Sequence, residues 1–256
     1  MTDLPPEVLA ISQTALLQAV VVFFRIGTVT SFLPAFGERL VPQRVKLAVA
    51  LAFTLIVLPT VPDAVLPQDG IALFRLILAE ILTGAVLGLT LRLMMIVLQM
   101  AASMIAQSTS LAQLFGGAAT EPMPAVGHVL VMGGLALAVM SDLHVLAAGA
   151  MIDSYRLFPA GSLLDAAELA DFGIAHVSYC FRLAFCLAAP FVLAAFIYNL
   201  AMGAINRAMP QLMVVLIGAP AITGAGLVML AMLSPLLLQV WFDAFRGVLA
   251  DPFGMR

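Results

Sequence analysis

Two long stretches without a charge constrain this chain more than any other feature. Twenty-four uncharged residues separate Arg182 from Arg207, and no further charge occurs before Asp243. Where the two stretches meet lies a polar knot, NLAMGAINRAMPQ, at 199–211. An apolar segment, a polar turn and a second apolar segment read as a membrane-type helical hairpin, since in lipid a spanning segment has to satisfy its own backbone polar groups. Asn199, Gly203 and Arg207 lie four residues apart and share one helix face. Pro210 disfavours helical geometry at Met209 and marks a break, with Gln211 directly after it.

Composition points the same way. Of 256 residues, 63% are hydrophobic and only 10% charged, against about 25% charge in soluble domains. The mean hydropathy is +1.14. This is the composition of an integral membrane protein. A net charge of -3 with no Lys/Arg-rich run excludes a nucleic-acid binder. Cys180 and Cys186 are six residues apart on a helix and point to different faces, which argues against a mutual disulfide. The first residues, MTDLPPEVLA, carry Asp3 and Glu7 but no basic residue, so the first apolar run is expected to be a retained segment and not a secretory signal.

Spanning the hydrocarbon core takes about 20 apolar residues, and six such segments are expected. They run over 8–33, 47–61, 71–104, 125–151, 177–202 and 213–241, with solvated connections at 34–46 and 153–171. Arg39, Arg44, Lys46, Arg92 and Arg207 are assigned to the connections after segments one, three and five, so the positive-inside rule favours both termini outside. Pro190, Pro220 and Pro235 fall inside apolar runs and should kink them. Arg25, Glu80, Arg92, Asp142 and Arg182 sit in or at the edge of apolar segments. Each would cost roughly 2.5–3.5 kcal/mol at a bilayer centre, which implies a bundle interior, partner subunits, or helices outside the bilayer core.

Several constellations stand out. Glu80, Gly84, Gly88 and Arg92 recur every four residues along the third segment. Gly84 and Gly88 form a small-xxx-small contact that admits a second helix closely. Glu80 and Arg92 are about 18 Å apart on a helix, too far to pair, so each needs another partner. Ordinary helix packing is the plainer reading, and subunit assembly extends it. Asp142 and His144 cannot share a helical face, and no zinc-protease or nucleophile-elbow motif is present. Met94, Met95, Met100 and Met104 read first as core filler and second as a deformable seal. Leu111–Thr120, with Leu114, Phe115, Gly116 and Gly117, reads as a connecting loop, or as one that occludes a pore.

These residues also carry a resemblance. N-L-A-M-G-A-I-N-R-A-M-P-Q-L at 199–212 followed by G-A-P at 218–220 resembles the signature of the FliR family of flagellar export-gate proteins, whose counterpart in virulence type III secretion is the T subunit. F-x-R-I-G at 23–27, P-A-F-G-E at 34–38 and V-P-x-R-V-K-L-A-x-A at 41–50 resemble the family's opening. Glu80 with Gly84 and Gly88, Gln107, and the pair Glu121–Pro122 resemble its middle. The match covers nearly the whole length. Asn199–Leu200 looks like the flagellar branch, and Met213 departs from the asparagine the family often has there.

The resemblance implies an all-α, polytopic membrane-type protein of about six long, kinked hydrophobic helical segments. It implies one export-gate domain, with a P-subunit-like part at 1–176 and a Q-subunit-like hairpin at 177–256. The implied function is non-enzymatic: part of the channel through which unfolded flagellar subunits cross the inner membrane of the basal body, energised elsewhere. The implied partners are several P and Q subunits, the B subunit and the exported proteins in transit, with no cofactor or metal. Leu111, Leu114, Phe115, Gly116 and Gly117 map onto the family's pore plug. Glu80, Arg92 and Arg207, with Asn199, Pro210 and Gln211, are expected in polar contacts between subunits, and Gly84, Gly88 and Gly203 in close packing. A virulence export gate is the alternative. A proton-coupled transporter using Glu80 or Asp142 is a further one, and an intramembrane enzyme lacks a nucleophile–base or metal constellation.

Overall fold

The computed structural model describes residues 6–38, 40–62, 67, 69–109, 125–162, 165–208 and 214–254. They form seven α-helices: α1 (Pro6–Phe32), α2 (Gln43–Val57), α3 (Gly70–Thr109), α4 (Ala125–Met140), α5 (Leu143–Leu157), α6 (Ala166–Ala208) and α7 (Val214–Ala250), with a 3-10 turn at Leu58–Thr60. No strand occurs among the described residues. Among the described residues, five helices are long and apolar enough to cross a membrane, or six segments if the α4–α5 pair counts as one broken span. The chain is therefore an all-α, polytopic membrane-type protein.

Local chemistry sets the helix boundaries. Pro6 opens α1, where its missing N–H is no loss. Pro34 follows soon after α1, and Gly37 N–H then bonds Leu33 O at 2.7 Å. Pro42 takes the cap position before α2, with extended ψ of 144°. Asp165 caps α6: its Oδ1 accepts from Ala167 N–H at 2.8 Å, and Glu168 lies in the first turn. α7 stops just ahead of Asp251–Pro252.

Several assignments differ from the sequence reading, and α3, α6 and α7 run on past the expected ends at 104, 202 and 241. α2 starts at Gln43, because Arg44 and Lys46 are good helix formers that a hydropathy criterion assigns to a loop. Asp153 and Arg156 belong to α5, joined at 2.9 Å as an i,i+3 pair, so the connection before α6 is far shorter than 153–171. The segment at 125–151 is two helices, broken at Ser141–Asp142, where Asp142 adopts φ +57°. Arg92 lies within α3 and leaves the loop count used for orientation.

α3, α6 and α7 have 40, 43 and 37 residues. At 1.5 Å per residue each is about 55–65 Å long, roughly twice the thickness of a hydrocarbon core. α6 continues across Pro190 as a single helix.

Two compact units result. The first comprises Met1–Leu93, Val139–His176 and Phe245–Arg256, the second Met94–Ala138 and Val177–Ala244. In the first, α1 buries Val21, Val22, Arg25, Ile26, Val29 and Leu33, one helical stripe. α2 contributes Ala50, Phe53 and Val57, and α5 contributes Leu143, Ala147, Ala150 and Met151. Phe253 closes this core against Phe158, with ring centroids 4.8 Å apart. In the second unit, Met94, Val97, Leu98 and Ala101 of α3 are buried, as are Leu130 of α4, Leu187 and Phe191 of α6, and Trp241 of α7. The Trp241 indole donates to Met94 O at 2.7 Å. Met94 and Met95 are fully buried, in keeping with core filling.

Candidate functional site

An apolar chain has few polar groups to spend, and the described residues gather the informative ones at two places. The first is buried in the first unit. Arg25 and Glu80 are both 0% exposed. Arg25 Nη2 donates to Glu80 Oε1 at 2.9 Å, and Nε lies 2.9 Å from Oε2, a side-on ion pair. Tyr155 O–H donates to Oε2 at 3.1 Å, and its ring lies 3.8 Å below the guanidinium carbon. Gly161 N–H donates to Oε1 at 2.9 Å. Arg25 Nη1 donates to Ser154 O at 3.3 Å and to Phe158 O at 2.9 Å. The guanidinium therefore sits on the terminal carbonyls of α5, where a helix favours a cation. The carboxylate holds the turn after α5, where Gly161 has φ +79°. The two charges neutralise each other inside the fold, although Arg25 Nε, close as it is to Oε2, makes no well-aligned hydrogen bond among the described residues.

Glu80 was expected in a contact between subunits. The structure corrects this: the carboxylate is enclosed by its own chain. Arg92 also has an internal partner, since its Nη1 is paired with Glu38, and both side chains are about one-third exposed. Glu80 and Arg92 thus do take different partners, as their spacing requires.

The glycine stripe serves the same interior. A Cβ on Gly84 would lie 2.5 Å from Arg25 O, and one on Gly88 2.9 Å from Phe32 Cβ. The helix they admit is α1 of the same chain. Sequence spacing missed Arg25 as Glu80's partner, along with Tyr155 and Gly161. One signal was available: an arginine and a glutamate, each inside an apolar segment, must find opposite charges.

The second place is the end of α6. Asn199, Gly203 and Arg207 are all exposed. A Cβ on Gly203 would meet nothing within 4 Å. Neither Asn199 nor Arg207 has an ion pair or side-chain hydrogen bond among the described residues. Apolar side chains surround them: Phe196, Ile197 and Leu200 are 65–66% exposed. α7 likewise exposes Leu227, Val228 and Met232. Pro210, Gln211 and the candidate plug residues Leu111, Leu114, Phe115, Gly116 and Gly117 lie outside the described residues. Asp142, His144 and Arg182 are exposed, so Asp142 is no buried proton site. Cys180 is buried and Cys186 exposed, both free.

Residues 16–248 match the family model for bacterial export proteins, family 1. The chain belongs to this family. Over 235 residues it is 32% identical to the flagellar biosynthetic protein FliR of Caulobacter vibrioides, covering 90% of this chain and 94% of the relative. It is 30% identical over 236 residues to FliR of Pectobacterium carotovorum, covering 90% of each. It is 29% identical over 234 residues to FliR of Escherichia coli, covering 89% of each. This bacterial export protein is a component of the flagellar type III export apparatus, embedded in membrane through its apolar helices. The flagellar relatives do not favour the virulence or transporter alternatives.

Proposed function

We propose that the chain is one wall of the flagellar export gate, a non-enzymatic channel subunit that assembles in the inner membrane with P, Q and B subunits. Unfolded flagellar proteins pass through the assembled gate. On this reading 1–176 packs like a P subunit and 177–256 like a Q subunit, and Leu111–Gly117 plugs the closed pore.

The observation that carries the reading is the end of α6, where Asn199, Gly203 and Arg207 stand exposed among exposed Phe196, Ile197 and Leu200. A face both polar and apolar, with a glycine open to close approach, suits another subunit better than lipid or water. Arg182 supports it: this cation is exposed within an apolar helix, and would cost roughly 2.5–3.5 kcal/mol against a bilayer centre. Helices about twice the hydrocarbon thickness also suit a gate that extends beyond the bilayer.

Deletion of the gene, with rescue by the intact copy, is the direct test. Loss of swimming together with loss of hook and filament export is expected. Normal export in the deletion strain would sink the proposal. Deleting Leu114–Gly117 should let small solutes leak through the assembled gate, and an unchanged leak removes the plug.

A further inference from the structure

A groove of about 320 Å³ runs between α1 and α2 in the first unit. Its chemistry is graded. Phe23, Phe24, Leu47 and Ala50 supply apolar walls, and Gln43 and Lys46 stand on the first turn of α2. Thr28, Thr30 and Ser31 also line it, but their hydroxyl protons are already donated. Thr28 Oγ1 donates to Phe24 O at 2.7 Å, Thr30 Oγ1 to Gly27 O at 3.0 Å, and Ser31 Oγ to Gly27 O at 2.7 Å. Each hydroxyl oxygen can still accept, but none has a proton left for an anion. Among the described residues, the lining side chains with donors to spare are those of Gln43 and Lys46, both on the first turn of α2.

Lys46 is a cation without a carboxylate partner among the described residues. It donates to Gly37 O at 3.0 Å, which uses one of its three N–H groups. The neighbouring acid, Glu38, is taken by Arg92. The same two helices also expose hydrocarbon, with Leu17 and Val20 of α1 and Leu51 and Leu55 of α2 39–70% exposed. A soluble anion could use only the cation. A molecule with its own hydrocarbon could use the cation and the apolar walls together.

We propose that this groove holds an anionic phospholipid, its phosphate on Lys46 and Gln43 and part of one acyl chain against Phe23, Phe24 and Ala50. A volume of 320 Å³ is at the small end for ligand pockets and suits a section of a single chain. The site rests on the membrane-embedded reading of the chain.

The full chain, reconstituted in vesicles, is probed with phosphatidylglycerol carrying a photoactivatable group on its acyl chain. Adducts are expected on peptides covering 23–31 and 43–50. A lysine at an anionic surface corresponds to about a fivefold preference, so phosphatidylglycerol should label about fivefold more than phosphatidylcholine. Lys46→Gln should bring the two lipids level. Gly27→Leu should lower both, since it projects into the groove from a position where a Cβ meets only the Phe23 ring, at 3.6 Å. If that variant fails to fold, Leu47→Trp fills the groove from a residue 53% exposed and should give the same loss. Equal labelling by both lipids in the wild type, or labelling indifferent to these substitutions, overturns the proposal. Displacement of the label by inorganic phosphate also overturns it, in favour of a soluble anion. So does cross-linking of a groove residue to a protein subunit in native membranes. Flotation of the same vesicles separates the two readings: a chain that fails to float removes the membrane reading, whereas one that floats without selective labelling removes only the lipid.

Discussion

Two polar knots are set in this apolar chain, and they are resolved in opposite ways. Around Arg25 and Glu80 every charge is matched inside the fold, by Tyr155, Gly161 and the end of α5. Around Asn199, Gly203 and Arg207 the side chains are exposed, on a helix end whose apolar residues are exposed as well. The glycines divide in the same way: Gly84 is closed off by Arg25 O, while Gly203 has open space. Burial of an unmatched ion is costly whatever surrounds it. On the proposed function, the knot that folding leaves exposed is the one available to a neighbouring subunit.

The strongest way to break this comparison is Glu80→Ala, which leaves Arg25 buried with its counter-ion gone. A loss of about 3–5 kcal/mol is expected, read as a fall in melting temperature in detergent and in the amount of protein in membranes. A wild-type melting curve would remove the buried knot as a stability determinant. Tyr155→Phe keeps the ring over Arg25 and deletes only the O–H bond to Glu80; the same melt should show a loss of about 1.5–3 kcal/mol.

The two glycines sharpen the contrast, because one substitution should act with opposite signs. Gly84→Ala pushes a Cβ toward backbone at 2.5 Å, and overpacking of this kind costs about 1–3 kcal/mol. Gly203→Ala meets nothing and should raise the melting temperature of the isolated chain, by about 0.4–1 kcal/mol of stability. Equal shifts in one direction would erase the distinction. The smallest stability effect belongs to Arg207→Ala, within about 0.5 kcal/mol of wild type. Its consequence should appear elsewhere, as weaker co-purification with the other export components. Undiminished co-purification would mean that the exposed knot is not a contact.

The helices were legible because they are written in local chemistry. Charge-free runs announce long apolar segments, and Pro42, Asp165 with Glu168, and Asp251–Pro252 mark starts and stops that the structure uses. Hydropathy misplaces the boundaries where charged residues are also good helix formers. Arg44 and Lys46 on α2, Arg92 on α3 and Asp153 with Arg156 on α5 are charged, yet helical. Charge tells which medium a residue prefers, whereas helix formation depends on backbone and capping. The partners of Glu80 were not legible at all. Arg25, Tyr155 and Gly161 are 55, 75 and 81 residues away, and helical spacing relates only neighbours three or four apart.

Residue order alone makes this chain helical, suits it to a membrane-type environment, and sets Glu80, Arg92, Gly84 and Gly88 on a face needing company. Composition and periodicity suffice for that, since both act within one segment. Long-range packing chooses whose company that is. It gave Glu80 to Arg25, Arg92 to Glu38 and the glycines to α1, and left Asn199, Gly203 and Arg207 bare. Those choices depend on which helices can approach closely enough to pack, a property of the whole chain and not of any segment in it.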